Sequence, residues 1–318
     1  MDLIYTNKKR VDQGVLSVYS LDLSYGESEN DYEITLGANE PTLEVGSFVY
    51  IEGTEYGGIV GGLKTSTNAD TVSYMGRTWH GILNSKVICP DANKDYYVVS
   101  GDANTILATL ISRLGLSSLF VAETELSGIR ISNYQFARYC LAYDGIKAML
   151  AANGAKLKIK WEGRLVHLSA EPIADYTDSP IDGDIATLNV ESHSHKVNHL
   201  VCLGKGELAA RQVIHLYVDQ FGRIGTVKHF TGLDEIVDVY DNSNSDNLKD
   251  DGTKHLKELR ENDKAEINLS ETEGLTYDIG DIVGASEIRS GVKVAETVTQ
   301  KIVKINNGVI STEYKTGR

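Results

Sequence analysis

The sequence contains little cysteine and little proline, and it has no apolar stretch long enough to cross a membrane. Of 318 residues, 3 are cysteine and 4 are proline. Cys89, Cys140 and Cys202 are far apart and form no C-x-x-C pair, which argues against a disulfide framework or a thiolate zinc site and favours buried free thiols. No apolar run approaches the length of a transmembrane helix, and no basic stretch leads into an apolar one after Met1. We therefore expect a protein that is made and folded in a cytosol and does not insert into membranes.

Positive charge is also in short supply. Lysine and arginine total 31 against 45 aspartate and glutamate residues, a formal net charge of −14. Nucleic-acid binding normally relies on a basic face that displaces counterions from phosphates. We therefore expect no specific nucleic-acid binding, although an acidic wall would suit a conduit that lets a polyanion pass without sticking.

Signatures of catalysis and cofactor binding are missing. The sequence contains no G-x-S-x-G, no H-E-x-x-H and no cysteine-nucleophile signature. Gly204-Lys205-Gly206 lacks the third glycine and the Lys-Ser/Thr ending of a phosphate loop, and a strand-end turn explains it better. The stretch after Asp241 resembles a calcium loop but has Asp246 and Gly252 where glycine and a bidentate glutamate are required. We expect no cofactor and no catalytic residue, while a carboxylate hydrolase, which carries little local signature, stays open as an alternative.

One weak metal candidate remains. His193, His195 and His199 form an H-x-H-x-x-x-H pattern, and on a continuous strand all three side chains share one face because their offsets are even. The polar residues between them indicate a turn, and no fourth ligand is apparent. Exposed strand histidines are the competing interpretation.

What the sequence has in abundance points to β structure. It contains 30 glycines and 17 tyrosines, which suit tight turns and half-buried strands respectively. Short apolar stretches alternate with turn clusters up to about residue 83, the pattern of a meandering sheet or barrel. We interpret Trp79 as a plug over one end of this barrel rather than a ligand platform.

An approximate internal repeat organises the chain. Residues 43–50 and 277–284 both place a turn glycine before an apolar strand, and residues 61–76 and 299–317 both form an Asn-containing hairpin whose return strand ends in tyrosine and glycine. We interpret this as one β unit used twice. The residues that mark the repeat are Gly46, Tyr74 and Gly76 in the first copy and Gly280, Tyr314 and Gly317 in the second.

Between the two copies of the repeat, the sequence pattern changes from that of short strands to that of helices mixed with strands. Apolar residues at helical spacing predict a helix that Asp102 opens and Gly115 ends, and a second helix is predicted from Asp144 to Asn153 before two strands. We expect a mainly β fold with α+β inserts. The predicted segments are a first barrel over 1–95, an α+β domain over 96–184, strands completing the barrels over 185–232, a helical and loop insert over 233–263 and a second barrel repeat over 264–318.

The chain resembles the tail-tip and baseplate hub proteins of phages and prophages of Gram-positive bacteria. Five stretches carry the resemblance, namely residues 49–60, 70–83, 96–104, 197–208 and 277–284. The resemblance runs in the same order over essentially the whole chain. Its motifs mark structural elements and contain no catalytic signature.

The resemblance implies two tube-like antiparallel β-barrels per chain with smaller α+β pieces outside them, assembled as a homotrimer around the tail axis. It also implies a non-enzymatic structural protein of the virion, synthesised in the bacterial cytoplasm. Such a hub contacts the tail tube or distal tail protein on one side and tip, fibre or lytic proteins on the other. A tail-associated peptidoglycan hydrolase and a carbohydrate-binding adhesin module are the alternatives.

Overall fold

The protein is mainly β, as the sequence predicts, and it folds into two compact units. The computed structural model describes residues 2–27, 29–65, 70–178, 181–182, 186–191, 196–260, 264–270, 276–286, 293–306 and 308–317, with the backbone alone at 181–182, 186–191 and 264–270. Unit 1 comprises residues 1–174, 270–281 and 298–315, and unit 2 comprises residues 175–269, 282–297 and 316–318. Among the described helices, none is both long and apolar enough to span a membrane. The five-segment division predicted from the sequence is finer than these two units and stays a prediction.

The described strands and helices are mostly short and closely spaced along the chain. Residues up to 174 form β1 Leu3–Thr6, β2 Asp12–Leu16, β3 Tyr19–Tyr25, β4 Asp31–Gly37, β5 Phe48–Tyr50, β6 Gly57–Thr65, β7 Thr71–Thr78, α1 Trp79–Asn84, β8 Val87–Ile88, β9 Val98–Asp102, α2 Ala103–Arg113, β10 Phe120–Ala122, β11 Arg130–Gln135, β12 Cys140–Leu141, α3 Ala142–Ala151, β13 Ala155–Glu162 and β14 Leu165–Pro172. The chain continues with β15 Ile181–Asp182, β16 Ala186–Glu191, β17 His199–Leu203, β18 Val213–Val218, β19 Ile224–Gly225, β20 Val237–Asp241, α4 Leu248–Arg260, β21 Lys264–Ser270, β22 Ile282–Ser286, β23 Lys293–Asn306 and β24 Val309–Gly317.

The main sheet of unit 1 brings the end of the chain beside its beginning. Its described strands run in the order β24-β23-β3-β4-β7-β6-β5-β1-β2. β23 pairs antiparallel with β3, so that Val303 lies opposite Leu23 and Ile305 opposite Leu21. These four side chains and Ile34 are buried in one apolar cluster, as the period-2 alternation of a half-buried strand requires. The last hairpin therefore completes the core that the first strands begin.

The helices and strands between Trp79 and Pro172 share a second core with the first strands. Their three-stranded sheet has the order β10-β14-β13, and α2 and α3 bury their apolar faces in the same cluster as Phe48 and Trp79. Trp79 is fully buried and stacks on Trp161 of β13 with ring centroids 5.0 Å apart. Trp79 is thus a packing residue and not a surface platform for a ligand.

The ends of α2 confirm its sequence prediction. The carboxylate of Asp102 accepts the backbone N–H of Asn104 at 2.9 Å, which satisfies an otherwise unpaired donor of the first turn. Gly115 follows the helix with φ +69, a left-handed conformation that glycine adopts without a steric cost.

Three other boundaries differ from the sequence prediction. α3 begins at Ala142 after the extended Leu141, and Asp144, predicted as its cap, lies in its first turn. The polar residues 241–252 predict a loop, but α4 begins within them at Leu248, because Leu248 is buried in the core of unit 2 and its burial favours the extra helical turn. The sequence also predicts a strand over residues 224–230, but the strand is limited to β19, which pairs with the last two residues of β18.

The three cysteines are free, but they are not all buried. Cys202 is buried, Cys140 is partly buried and Cys89 is exposed. The expectation of buried thiols is therefore wrong for Cys89. It lies just after β8 in a connection between elements, where chains commonly run over the surface.

Candidate functional site

The first of two similar backbone corners comprises residues 43–47, between β4 and β5. Gly46 has φ +95 and donates its N–H to the carbonyl of Val60 at 2.8 Å, while the N–H of Val60 donates to the carbonyl of Ser47 at 2.9 Å. The N–H of Ser47 donates to the carbonyl of Glu44 at 3.0 Å. The hydroxyl of the buried Tyr74 accepts the N–H of Leu43 at 3.2 Å. We call these residues the first corner.

The second corner comprises residues 277–281 and repeats these contacts. Gly280 has φ +101 and donates its N–H to the carbonyl of Val298 at 2.8 Å, and the N–H of Val298 donates to the carbonyl of Asp281 at 2.8 Å. The N–H of Asp281 donates to the carbonyl of Asp278 at 3.1 Å. The hydroxyl of Tyr314 accepts the N–H of Tyr277 at 3.2 Å.

The two corners therefore use one hydrogen-bond scheme. Gly46 and Gly280 occupy equivalent positions, and so do Tyr74 and Tyr314. In both, a positive φ that favours glycine turns the chain into the strand that follows. The closing glycines differ: Gly76 lies within β7, where a Cβ atom would come 2.0 Å from the carbonyl oxygen of Ile59, whereas Gly317 is the last residue of β24.

The second corner also carries buried charge. The ammonium of Lys156 on β13 contacts Asp281 Oδ1 at 2.7 Å and Asp278 Oδ2 at 2.9 Å. Lys158 donates to both oxygens of Asp278 at 2.8 Å. The carboxylate of Asp281 also accepts the backbone N–H groups of Ala174 at 3.0 Å and of Asp278 at 2.9 Å. The second corner is thereby bound to β13 and to Ala174.

Titration of these groups reflects the pairing. Burial raises the pKa of the Asp278 carboxyl, but the hydrogen bonds from Lys158 and Lys156 outweigh it and hold that pKa below its usual value. Burial lowers the pKa of Lys156, and the carboxylates of Asp281 and Asp278 more than reverse this, so that the pKa is raised. Asp278 and Lys156 are therefore both charged at neutral pH, and their contacts hold the second corner against β13.

A second charged cluster joins β23 to the first part of unit 1. Lys301 of β23 contacts Glu55 at 2.8 Å, and their side chains are 5% and 16% exposed. Glu55 also lies 3.7 Å from Nε2 of His80 on α1, whose ring stacks on Tyr25 at a centroid distance of 4.2 Å. Burial raises the pKa of Glu55, but Lys301 and His80 more than offset this and lower it.

His80 is held in its neutral form. Burial lowers the pKa of His80 to about 4; Glu55 opposes this decrease, while Lys147 and Lys301 reinforce it. Lys301 itself has a raised pKa, because Glu55 and the neighbouring tyrosines outweigh its burial. The cluster places one buried cation against one buried anion, an arrangement that favours a single geometry.

The metal candidate receives no support from the described residues. His199 is engaged at both ring nitrogens: Nδ1 lies 2.7 Å from Glu235 and Nε2 lies 2.8 Å from Nδ1 of His215. In the part of the chain that the structure describes, no group of three or more His, Cys, Asp or Glu side chains is arranged to hold a metal ion. His193 and His195 lie outside the described residues.

The two charged clusters were missed by reasoning from the sequence. Lys156, Lys158 and Lys160 alternate along β13, and alternate lysines on a strand usually indicate a solvent-facing side. The buried Trp161 of the same strand lies on the opposite face from these lysines and does not indicate their pairing. The acidic partners of Lys156 and Lys158 lie more than a hundred residues away, so no local pattern connects them.

No family model matches this sequence. No curated protein matches it either.

The chain has the fold of phage and prophage tail proteins, as solved structures show. It is similar to a prophage tail protein, gp18, from Listeria monocytogenes EGD-e, with a TM-score of 0.59, 15% identity and coverage of 99% of this chain and 94% of that one. It is also similar to the 43 kDa tail protein of prophage MuSo2 from Shewanella oneidensis, with a TM-score of 0.55, 11% identity and coverage of 100% and 98%. A tail protein from Neisseria meningitidis MC58 matches with a TM-score of 0.52, 13% identity and coverage of 100% and 96%. The likeness confirms the resemblance at the level of the fold.

Proposed function

We propose that this chain is a structural component of a phage or prophage tail, the hub of the tail tip or baseplate. In this role it joins the tail tube or distal tail protein to the host-facing tip, fibre or lytic proteins and performs no catalysis itself. The observation that carries the proposal is the pair of corners with one hydrogen-bond scheme in a single chain. The fold likeness to tail proteins supports it.

The duplication has a physical use in a tail. Three copies that each carry two related β units present six similar units around one axis, which allows a threefold assembly to seat on a sixfold tube. We therefore infer that the chain assembles as a homotrimer and that each corner organises one of two related barrel-like units. The buried ion pairs at Lys156 and Lys301 support this role, since they fix the second corner and β23 in one geometry within unit 1.

Two experiments test the proposal. Antibodies raised against the purified chain, imaged by electron microscopy on particles released from the bacterium that encodes it, are expected to label the host-facing end of the tail. Light scattering on the purified chain at increasing concentration is expected to show a mass that approaches three copies. Labelling along the tube or on the head, or no labelled particle at all, contradicts a hub role.

A further inference from the structure

The sheet of unit 2 is covered on one face only. Its described strands run in the order β19-β18-β17-β20, and Leu200, Cys202 and Leu216 on one face are buried with Leu248 and Leu256 of α4. This is an ordinary helix-on-sheet core. It leaves the opposite face without a helix among the described elements.

The opposite face, which we call the open face, is rich in aliphatic side chains. Val201 lies opposite Val239 and Leu203 opposite Val213 across the strands. Val213, Val237 and Val239 are 47%, 49% and 53% exposed. Because residues directly opposite each other share a face, these side chains form an aliphatic strip. The rings of His199, His215 and Tyr217 pack together on the same face and border the strip. Exposed apolar strips commonly mark interaction surfaces.

The open face ends at an edge strand whose backbone groups have no ladder partner. The carbonyl of Ile236 accepts the N–H groups of Asn198 and His199, and the N–H of Asn242 donates to the carbonyl of Leu203. The even-numbered positions of β20 thus face β17. Since backbone groups alternate in direction along a strand, those of Val237, Val239 and Asp241 point away from the sheet. Within the described part of the chain no strand pairs with them.

One of these outward backbone groups already has a side-chain hydrogen-bond partner. The carboxylate of Asp238 accepts the N–H of Val239 at 2.7 Å, in the position where the carbonyl of a further strand would accept it. A side chain in this place protects an exposed edge against uncontrolled pairing. A carbonyl of an added strand would compete with this carboxylate for the N–H of Val239, and its displacement would free an acidic group beside the edge.

The edge carries an excess of negative charge. β20 and the three residues before it contain four acidic side chains, Asp234, Glu235, Asp238 and Asp241, and no lysine or arginine. Glu235 is paired with Lys228, and Asp241 with Arg211. Asp234 and Asp238 have no cation within ion-pair distance in the described part of the chain. The charge left over favours a basic partner at close range.

We propose that the outer edge of β20 receives an extended segment of a partner protein as an additional strand, and that this segment alternates apolar and basic residues. Its backbone bonds the outward groups of Val237, Val239 and Asp241. Its apolar side chains extend the strip at Val237 and Val239, and its lysine or arginine side chains reach Asp238 on the other face. Main-chain bonds then supply affinity, and the alternate side chains supply specificity.

A second copy of this chain is the less favoured occupant. The net charge of −14 makes two copies repel. The alternating lysines of β13 are already paired: Lys156 and Lys158 with the second corner and Lys160 with Glu162. That internal pairing also shows, within unit 1, the same match of a lysine-alternating strand to an acidic segment.

The test uses the full chain and an eight-residue synthetic peptide of alternating lysine and valine. Amide hydrogen exchange measured by NMR is expected to slow by about tenfold or more at Val237 and Asp241 when the peptide saturates the edge. A matched peptide of alternating glutamate and valine is expected to leave both amides unchanged. Neither measurement needs an assembled tail, so failure here leaves the hub proposal standing.

A pair of variants separates the edge from the fold. Val239→Pro removes an outward N–H and leaves the bonds to β17 in place, a site where an edge strand tolerates proline. It is expected to abolish peptide protection while the amide of Asn242 keeps its own exchange rate. Val239→Thr keeps the backbone donor and is expected to bind within about threefold of the original chain.

Three results overturn the proposal: no protection by the lysine peptide, equal protection by the glutamate peptide, or protection that rises with protein concentration when no peptide is present. The last of these assigns the edge to a second copy.

Discussion

Breaking the buried ion pair between Lys301 and Glu55 is expected to destabilise unit 1 by a large and measurable amount. The two groups are 2.8 Å apart and nearly closed to solvent. Lys301→Met removes the cation and leaves the Glu55 carboxylate without its ammonium partner, beside the neutral His80. Removing one partner of a buried pair typically costs about 3–5 kcal/mol, because the other charge remains desolvated without compensation. We expect the free energy of unfolding to fall by about that amount at pH 7.

The double variant separates pairing from packing. Glu55→Gln combined with Lys301→Met removes both charges and keeps similar volumes, so we expect most of the lost stability to return, to within about 1–2 kcal/mol of the original chain. A double-mutant cycle then gives a coupling energy above about 2 kcal/mol.

Tryptophan fluorescence during urea unfolding is a suitable assay. Both tryptophans of the chain, Trp79 and Trp161, are stacked in the core of unit 1, so the signal reports the unit that contains the pair. Lys160→Met is the matched control, because Lys160 and its partner Glu162 lie in the same unit and are 47% and 56% exposed, and we expect a change below about 1 kcal/mol. A loss below about 1 kcal/mol for Lys301→Met, or additive effects in the cycle, would refute the argument that this pair fixes β23.

Three further predictions concern the corners and the buried histidine. Tyr74→Phe and Tyr314→Phe each orphan one buried backbone N–H, and we expect similar losses of about 1–3 kcal/mol in urea unfolding; a large loss for one and none for the other contradicts equivalence of the corners. The folded-state pKa of His80 is about 4 against an ordinary 6.5, so the unfolded chain binds the extra proton between these values and stability falls as pH decreases from 6.5 to 4, by up to about 3 kcal/mol. His80→Phe is expected to flatten that slope in a pH series of melting curves, and an unchanged slope rejects this assignment. Gly76→Ala places Cβ 2.0 Å from a carbonyl oxygen and is expected to cost at least about 1–3 kcal/mol, whereas Gly62→Ala, with open space around it, is expected to cost less than about 1 kcal/mol; equal effects contradict the close approach.

The sequence predicts those parts of the fold that depend on interactions between neighbouring residues. α2 was predictable because Asp102 supplies an N-cap and the following apolar residues recur at helical spacing. The strands β13 and β14 were predictable from their alternation and from the turn between them, where Gly163 has φ +56. The similar corners were visible because glycine is the residue that a positive φ favours.

Contacts between residues far apart in the sequence could not be predicted. β23 pairs with β3 across some 280 residues of sequence, and no local pattern specifies that partner. The acidic groups that meet Lys156 are 122 and 125 residues away. Burial of Leu248 also moved the start of α4 against its local polarity, because tertiary packing outweighs intrinsic propensity.

We propose that the chain doubles one β unit to serve a threefold hub at the end of a sixfold tube. Cryo-electron microscopy of tails purified from the encoding bacterium tests it most directly. We expect three copies around the tail axis, with the first and second corners alternating at six similar positions next to the tube. A single copy or six copies at that end, or three copies whose two corners lie in unrelated environments, would contradict it.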